Sequence, residues 1–406
     1  MKESPGLYLS AREAAAELAV SPATLYAYVS RGLVRSEPSP DSRARRYHAA
    51  DVRALKAKRA PQAEPRSFRS FDADLPVLDT QVSTITARGP VYRGVDALAL
   101  AERDTLEHAA TLLWDATATD PFEAGNMPVV SEAMRAIAHA ARDAAAIDRT
   151  IGVLALAASA DPRAHTRAAS GRALVGGRIL RLVVASMLGR EPSPLPLHRQ
   201  IAQAWADGDA RAVDKAADLI RRALVLLADH ELNVSTFTVR CAASTGLSLY
   251  DAVIAGLAAV KGPRHGGASA LASQLVARFG EGDVTAQVRE HVALGERFPG
   301  FGHGVYREGD PRAFALLAAL ARAGADPRLT RDIPASIAEA SGEFANIDYA
   351  LAAMMHTLRQ PPGREAALFA IARTVGWVAH ASEQLAHGGL IRPRARYVGP
   401  MPRGAA

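Results

Sequence analysis

From residue 71 onward the chain is a succession of Ala- and Leu-rich stretches. Their apolar residues recur three and four positions apart, as at Leu219, Ala223, Leu226 and Leu227. That period lines apolar side chains along one side of a helix. Helices are read over Thr105–Ala116, Ser131–Ile147, Arg167–Leu188, Pro196–Ala206, Ala212–Leu232 and Leu249–Val260. Strand signals are sparse, confined to Leu78–Ile85 and Gly89–Arg93. Hydrophobic residues are 49% of the chain and aromatics only 5%, so the core must be built from Ala, Leu, Val and Ile. Alanine is the best helix former, which points the same way. The body is expected to be a large all-helical fold. It carries no repeat of fixed period, no Walker loop and no GxGxxG.

A chain of 406 residues exceeds the usual length of one domain. The charge shows where it divides. Residues 1–66 hold 12 Lys and Arg against 7 Asp and Glu, while the rest of the chain is close to neutral. A small basic module on a neutral body is the footprint of nucleic-acid binding. The segment has helix signals of its own. Ser10-Ala-Arg-Glu13 is a capping box before Ala14, Ala15 and Leu18, which should face inward. After a turn at Ala19–Ser21, Ser21-Pro22 opens a second helix that stops at Gly32. Two short helices so joined make a helix-turn-helix, with Pro22–Tyr28, including Thr24 and Tyr26, nearest the bases. Arg43, Arg45 and Arg46, beside Tyr47, suit phosphate contact from a β-wing. A short helix over Asp51–Arg59 and a linker over Ala60–Ser70 complete the segment. Cys241 is the single cysteine, which excludes an internal disulfide and a multi-Cys zinc site and fits a reducing cytosol. No apolar run reaches a membrane span, and the start has no hydrophobic signal core, so a cytoplasmic protein is expected.

Chemistry-bearing residues gather in four places. Gly300–Arg312 sets His303 between two glycines, where backbone approaches a ligand closely, and follows it with Arg312, a planar fork for a carboxylate. Lys261–Ala268 holds a second glycine-flanked histidine, His265, ahead of a helix starting near Ala268; that position favours a neutral imidazole. Asp229-His230-Glu231 is dense in polar groups. Adjacent residues diverge on a helix, so the spacing argues against a metal site and for one side chain facing a cleft. Asp348 precedes a helix read over Tyr349–Leu358, where an Asp is ordinarily an N-cap. Two neutral histidines, one carboxylate and several arginines suit carbon–carbon bond formation. A carboxylate takes a proton from a weak carbon acid, hydrogen-bond donors stabilise the enol oxygen and polarise a ketone, and arginines hold a keto acid.

Two resemblances follow. Leu9–Leu55, with REAAAELAVSPATLYAYVSRGLV and RRYHAADVRAL, resembles the winged helix-turn-helix of MerR and excisionase proteins, which implies DNA binding, usually as a dimer. The body, about 76–400, resembles citrate synthase in DHELNVSTF, GPRHGGA, GFGHGVYREGDPRA, NIDYA and ARTVGWVAHASEQLAHGGLIRPRARYVG. This resemblance implies condensation of acetyl-CoA with oxaloacetate, with no cofactor beyond the CoA thioester substrate and no metal. It implies His265 as donor to the thioester oxygen, Asp348 as base and His303 as the group polarising the ketone. His230, Arg312 and Arg373 match oxaloacetate-binding positions, Arg392 one that reaches the neighbouring subunit of a homodimer, and Arg307 one that meets CoA phosphate. Propionyl-CoA, as in 2-methylcitrate synthase, is the alternative thioester. A metabolite-sensing regulator is the alternative role. The implied division is a module over 1–60, a linker over 61–75, a large domain from 76–265 and 366–406, and a small domain over 266–365 that closes on substrate. Arg264, Gly304 and Ala345 depart from the family pattern.

Overall fold

A computed structural model describes residues 8–18, 20–39, 44–59, 78–205, 210–263 and 265–399. Arg43, Arg264 and the expected linker lie outside the described residues. The N-terminal unit contains β1 (Tyr8–Ser10), α1 (Ala11–Glu17), α2 (Pro22–Ser30), β2 (Ser36–Pro38), β3 (Arg45–His48) and α3 (Ala49–Arg59). The capping box forms: Ser10 accepts the Glu13 N–H and the Glu13 carboxylate accepts the Ser10 N–H. Ser21 caps α2, with Pro22 in its first turn. The strands pair antiparallel in the order β1-β3-β2. Leu9, Ala14, Ala15, Leu18, Leu25, Val34, Tyr47, Val52 and Leu55 are buried, giving the unit a core of its own.

The body opens on a small antiparallel sheet, β4 (Ser83–Thr86), β5 (Gly89–Tyr92) and β6 (Val95–Asp96). The strand expected over Leu78–Ile85 starts only at Ser83, because pairing with β5 begins there. Helices α4 (Ala97–Arg103), α5 (Leu106–Leu113), α6 (Glu132–Ala140), α7 (Ala146–Ala160), α8 (Ala169–Leu188), α9 (Leu197–Trp205), α10 (Ala210–Leu227), α11 (Val234–Ala243) and α12 (Leu249–Val260) follow. The single helix expected over Ser131–Ile147 is two, α6 and α7. The chain turns at Ala141–Ala145, where backbone bonds close back on Ile137 and His139. The helix expected to run to Leu232 ends at Leu227, since Glu231 turns into the left-handed region at φ 55°.

Helices α13 (Ala268–Phe279), α14 (Val284–Ala293), α15 (Pro311–Arg322), α16 (Ile333–Ser341) and α17 (Ile347–Thr357) form a second layer, with a π-helical turn at Arg328–Asp332. In it α17 packs between α13 and α15, and α16 against α14. The last helix, α18 (Arg364–His387), returns through the first layer against α5, α8, α10, α11 and α12. Leu368, Ile371, Val375, Trp377 and Val378 bury its whole circumference. At Gly376 a Cβ would fall 2.1 Å from Asp229 Oδ1, so the missing side chain lets α18 run against the end of α10. Among the described residues no helix is long and apolar enough to cross a membrane.

Candidate active site

The site lies where the two layers meet, and three hydrogen bonds build its frame. The Gly302 N–H donates to Phe344 O at 2.8 Å and the Asn346 N–H to Gly300 O at 2.9 Å. The Asn346 amide also donates to Gly302 O at 2.9 Å. These bonds hold the His303 loop beside the first turn of α17. Gly300 is required here, because a Cβ would stand 2.9 Å from that of Tyr349. The cap of α17 is Asn346, whose side chain accepts the Asp348 N–H at 3.0 Å. Asp348 is not the N-cap, and the helix starts before Tyr349. Its carboxylate instead accepts a hydrogen bond from Ser269 Oγ at 2.8 Å. Ser269 sits in the first turn of α13, four residues past His265, so this bond ties Asp348 to the start of the helix that follows that histidine.

Burial lowers the pKa of all three histidines. The Nδ1 of His303 accepts the N–H groups of Val305 at 3.0 Å and Tyr306 at 3.3 Å. That leaves the ring proton on Nε2, an outward donor. Burial, then the charge of Arg312, lowers its pKa, so the ring is neutral. The pKa of His265 is lowered to about 4 by burial, then by Arg373. Burial leads there, rather than the helix terminus expected from sequence. His265 Nε2 lies 2.8 Å from Ser235 Oγ, which is also 2.8 Å from Asn233 Oδ1 and accepts the Trp377 indole N–H at 3.2 Å. The Ser235 hydroxyl donates its single proton to Asn233 Oδ1, which puts the ring proton of His265 on Nε2; turning that hydroxyl to the imidazole instead moves the ring proton to Nδ1. His230 is pushed well below its ordinary pKa by burial, then by Arg312, Arg373 and His303. Its ring meets that of His303 edge-on at 5.6 Å, and its Nε2 lies 3.2 Å from the Tyr306 hydroxyl.

The two arginines are buried and held differently. Arg312 forms a bidentate pair with Asp310 at 3.0 and 2.8 Å. The same carboxylate accepts the Ile347 N–H at 3.1 Å, tying this arginine to the base's helix. Among the described residues Arg373 has no such carboxylate, and its buried Nη1 has no hydrogen-bond partner; its Nε donates to Leu227 O at 2.9 Å, and it lies 4.7 Å over the Phe369 ring. Burial brings its pKa down to about 10. A buried guanidinium with a spare donor is a place for an anion. Behind it, Ser83 donates to the Asp229 carboxylate, which also accepts the Glu231 N–H at 3.1 Å and lies 3.3 Å from His380 Nε2. That buried cluster fixes the turn carrying His230.

Thus His230, His265, His303, Arg312, Arg373 and Asp348 come together. Arg307 is exposed on the outer part of the loop between His303 and Arg312, and Arg392 is exposed in the irregular C-terminal segment. Among the described residues no three His, Cys, Asp or Glu side chains gather to hold a metal. On the N-terminal unit Tyr26 is exposed, while the Thr24 hydroxyl meets that of Ser21. Arg45 is bonded to Ser36, and Arg46 pairs with Glu37 and lies 4.0 Å over the Tyr8 ring. Sequence reasoning missed Ser269, Ser235, Tyr306 and His380, and met Asp229 only as part of a polar run. Only Asp310 has a local signal, as the cap of α15 ahead of Pro311.

The family model described as citrate synthase, C-terminal domain, matches residues 72–394. The citrate synthase of Haloferax volcanii is 38% identical over 191 residues, 45% of this chain and 50% of that one. Citrate synthase 2 of Bacillus subtilis is 35% identical over 190 residues, 45% of this chain and 51% of that one. The chain therefore spans about half the length of the first curated relatives it matches. The 2-methylcitrate synthase of Mycobacterium tuberculosis is 27% identical over 379 residues, covering 86% of this chain and 96% of that one. Among solved structures, citrate synthase from Thermotoga maritima superposes with a TM-score of 0.65 at 27% identity, covering 81% of this chain and 95% of that one.

Proposed function

We propose, on the premise that the chain belongs to the citrate synthase family, that it joins acetyl-CoA to oxaloacetate and releases citrate and CoA. Asp348 takes a proton from the thioester methyl, while His265, with the Ser235 hydroxyl turned to its ring, donates its Nδ1–H to the thioester oxygen. The enol carbon then bonds to the ketone carbon of oxaloacetate, whose C=O π pair moves onto the oxygen, and that oxygen takes the Nε2 proton of His303 to become the hydroxyl. Water afterwards cleaves the thioester, and the sulfur leaves as CoA. His230, Arg312 and Arg373 hold the carboxylates of oxaloacetate, Arg307 meets CoA phosphate, and Arg392 serves the site of a second copy in a homodimer. Residues 266–365 act as the closing domain, which excludes water during the condensation.

What supports this reading is the bond from Ser269, four residues past His265, to Asp348, the bond from Asn346 to the His303 loop, and the buried Nη1 of Arg373. Its test is CoA release with oxaloacetate and acetyl-CoA. Asp348→Ala is expected to lower kcat by about 10²–10⁴-fold with an unchanged fold. Turnover at the original rate would show that the base lies elsewhere. The length-wide similarity to a 2-methylcitrate synthase favours a second thioester, propionyl-CoA. One methylene separates the two substrates by only about 1–3 kcal/mol, so kcat/KM on each decides the preference.

The N-terminal unit is proposed to bind DNA through the exposed face of α2, with Tyr26 and Thr24, in the manner of the MerR and excisionase modules. Its support is the helix-turn-helix layout and the basic charge. A mobility shift with duplex DNA that weakens as salt rises is expected; no shift even at low salt would remove this part of the reading.

A further inference from the structure

We propose that the N-terminal unit senses the catalytic cleft through a joint between α3 and α16, so that oxaloacetate binding alters how the unit meets DNA. This rests on the reading above, in which the cleft takes oxaloacetate and the unit takes DNA. It adds a physical link between the two.

The joint joins the N-terminal unit to the second layer of the body. Helix α3 packs on α16. Arg53 of α3 is half-buried, and its Cδ lies 3.7 Å from where a side chain on Gly342 would begin. Its guanidinium sits in the fields of Glu17 on α1 and Glu339 on α16. Gly342 closes α16 in the left-handed region at φ 72°. The chain then runs straight into the frame of the site. Phe344 O accepts the Gly302 N–H, Ala345 bridges Phe301, Asn346 caps α17, and Asp348 carries the carboxylate. Five residues separate Gly342 from Asp348, and two of them, Phe344 and Asn346, are hydrogen-bonded to the His303 loop. Anything that shifts His303 and Asp348 toward a bound keto acid also shifts the end of α16.

The other side of the joint is stiff. Helix α3 packs on α1, which packs on α2, around the buried core of Leu9, Ala15, Leu18, Leu25, Tyr47 and Val52. A displacement at Arg53 therefore turns the unit as one body and re-aims the exposed face of α2. Paired recognition helices must match the spacing of two half-sites, so a change of aim changes affinity. By reciprocity, DNA on the unit alters oxaloacetate affinity by the same factor.

The test uses the full-length chain. Hydrogen exchange is followed at residues 49–59, 300–303 and 333–348, with and without oxaloacetate, and calorimetry reports oxaloacetate binding. Exchange in α3 is expected to change severalfold together with the site segments. Binding to random-sequence duplex DNA at low salt is expected to change by about 5- to 150-fold on adding oxaloacetate. Arg53→Glu should abolish both responses in the unit while leaving oxaloacetate binding and CoA release in place. Adding Glu339→Arg to that variant should restore them, and Glu339→Ala serves as a milder break of the joint. Oxaloacetate binding that protects 300–303 and 344–348 while α3 does not respond would overturn the proposal alone. Responses that survive Arg53→Glu and Glu339→Ala would overturn it too. Calorimetry showing no oxaloacetate binding would instead overturn the functional reading, and this proposal with it.

Discussion

Burial sets the charge balance of Asp348, and Ser269 works against it. Burial raises the carboxyl pKa, and the Ser269 hydroxyl bond opposes that rise by favouring the charged form. The base works deprotonated, so activity should climb with pH through the raised pKa of Asp348. Ser269→Ala removes the opposing bond, and the acid limb of kcat/KM should move to higher pH; an unmoved limb would show that the bond does not tune the base. The histidines act through the opposite sign. His265 and His198 are each depressed to about 4, led by burial. Once unfolded they take up protons from about 6.5 downward. The unfolded chain thus binds more protons between pH 6.5 and 4, and stability falls across that window on acidification. Thermal unfolding at pH 7 and pH 5 checks this, and an equal Tm at both would contradict it. The candidate residues His265, His303 and Asp348 could be picked out because glycine or a helix start marks each one locally. Ser269 could not, since it acts on a partner 79 positions away and nothing near it announces that contact.

At the scale of elements, Asn346 does two jobs. It caps α17 and, through its amide, holds the histidine loop at Gly302. Asn346→Ala should cost about 1 kcal/mol of stability from the cap. It should also lower kcat on the order of ten- to a hundredfold, through displacement of Asp348 against His303. Asn346→Asp keeps a capping oxygen and loses the amide donor, so it should recover the Tm and not the kcat. If both variants retain full kcat, the frame does not position the site. The long helices α8 and α12 were readable because their apolar periods are uninterrupted. The break between α6 and α7 was not, because Ala141–Ala145 contains no Gly or Pro and alanine is at home in a helix. The end of α10 was hidden for another reason. Tyr92, from a distant part of the chain, takes the Asp229 N–H, and Ser83 and His380 hold the Asp229 carboxylate on which the Glu231 N–H closes the turn.

At the scale of the whole molecule, the site built by one chain lacks the C-terminal arginine. Arg392 lies exposed in an irregular segment, and Leu390 and Val398 around it are 63% and 85% exposed. Apolar side chains spread along an extended, solvent-facing segment suit burial against a second copy. The homodimer proposed above would put Arg392 in the partner's site, and activity in mixed dimers tests that directly. Asp348→Ala lacks the base but carries a sound Arg392; Arg392→Ala lacks the arginine but carries a sound base. In a mixed dimer, the site with the sound base receives the sound arginine from the other copy. The remaining site lacks both. Equal mixing with random exchange makes half the dimers mixed, so about a quarter of all sites should work although each parent variant is impaired. If Arg392 served its own chain, every site would lack one group or the other, and mixing would bring no recovery. Exchange of subunits, followed by mass spectrometry of tagged chains, separates that outcome from a failure to mix.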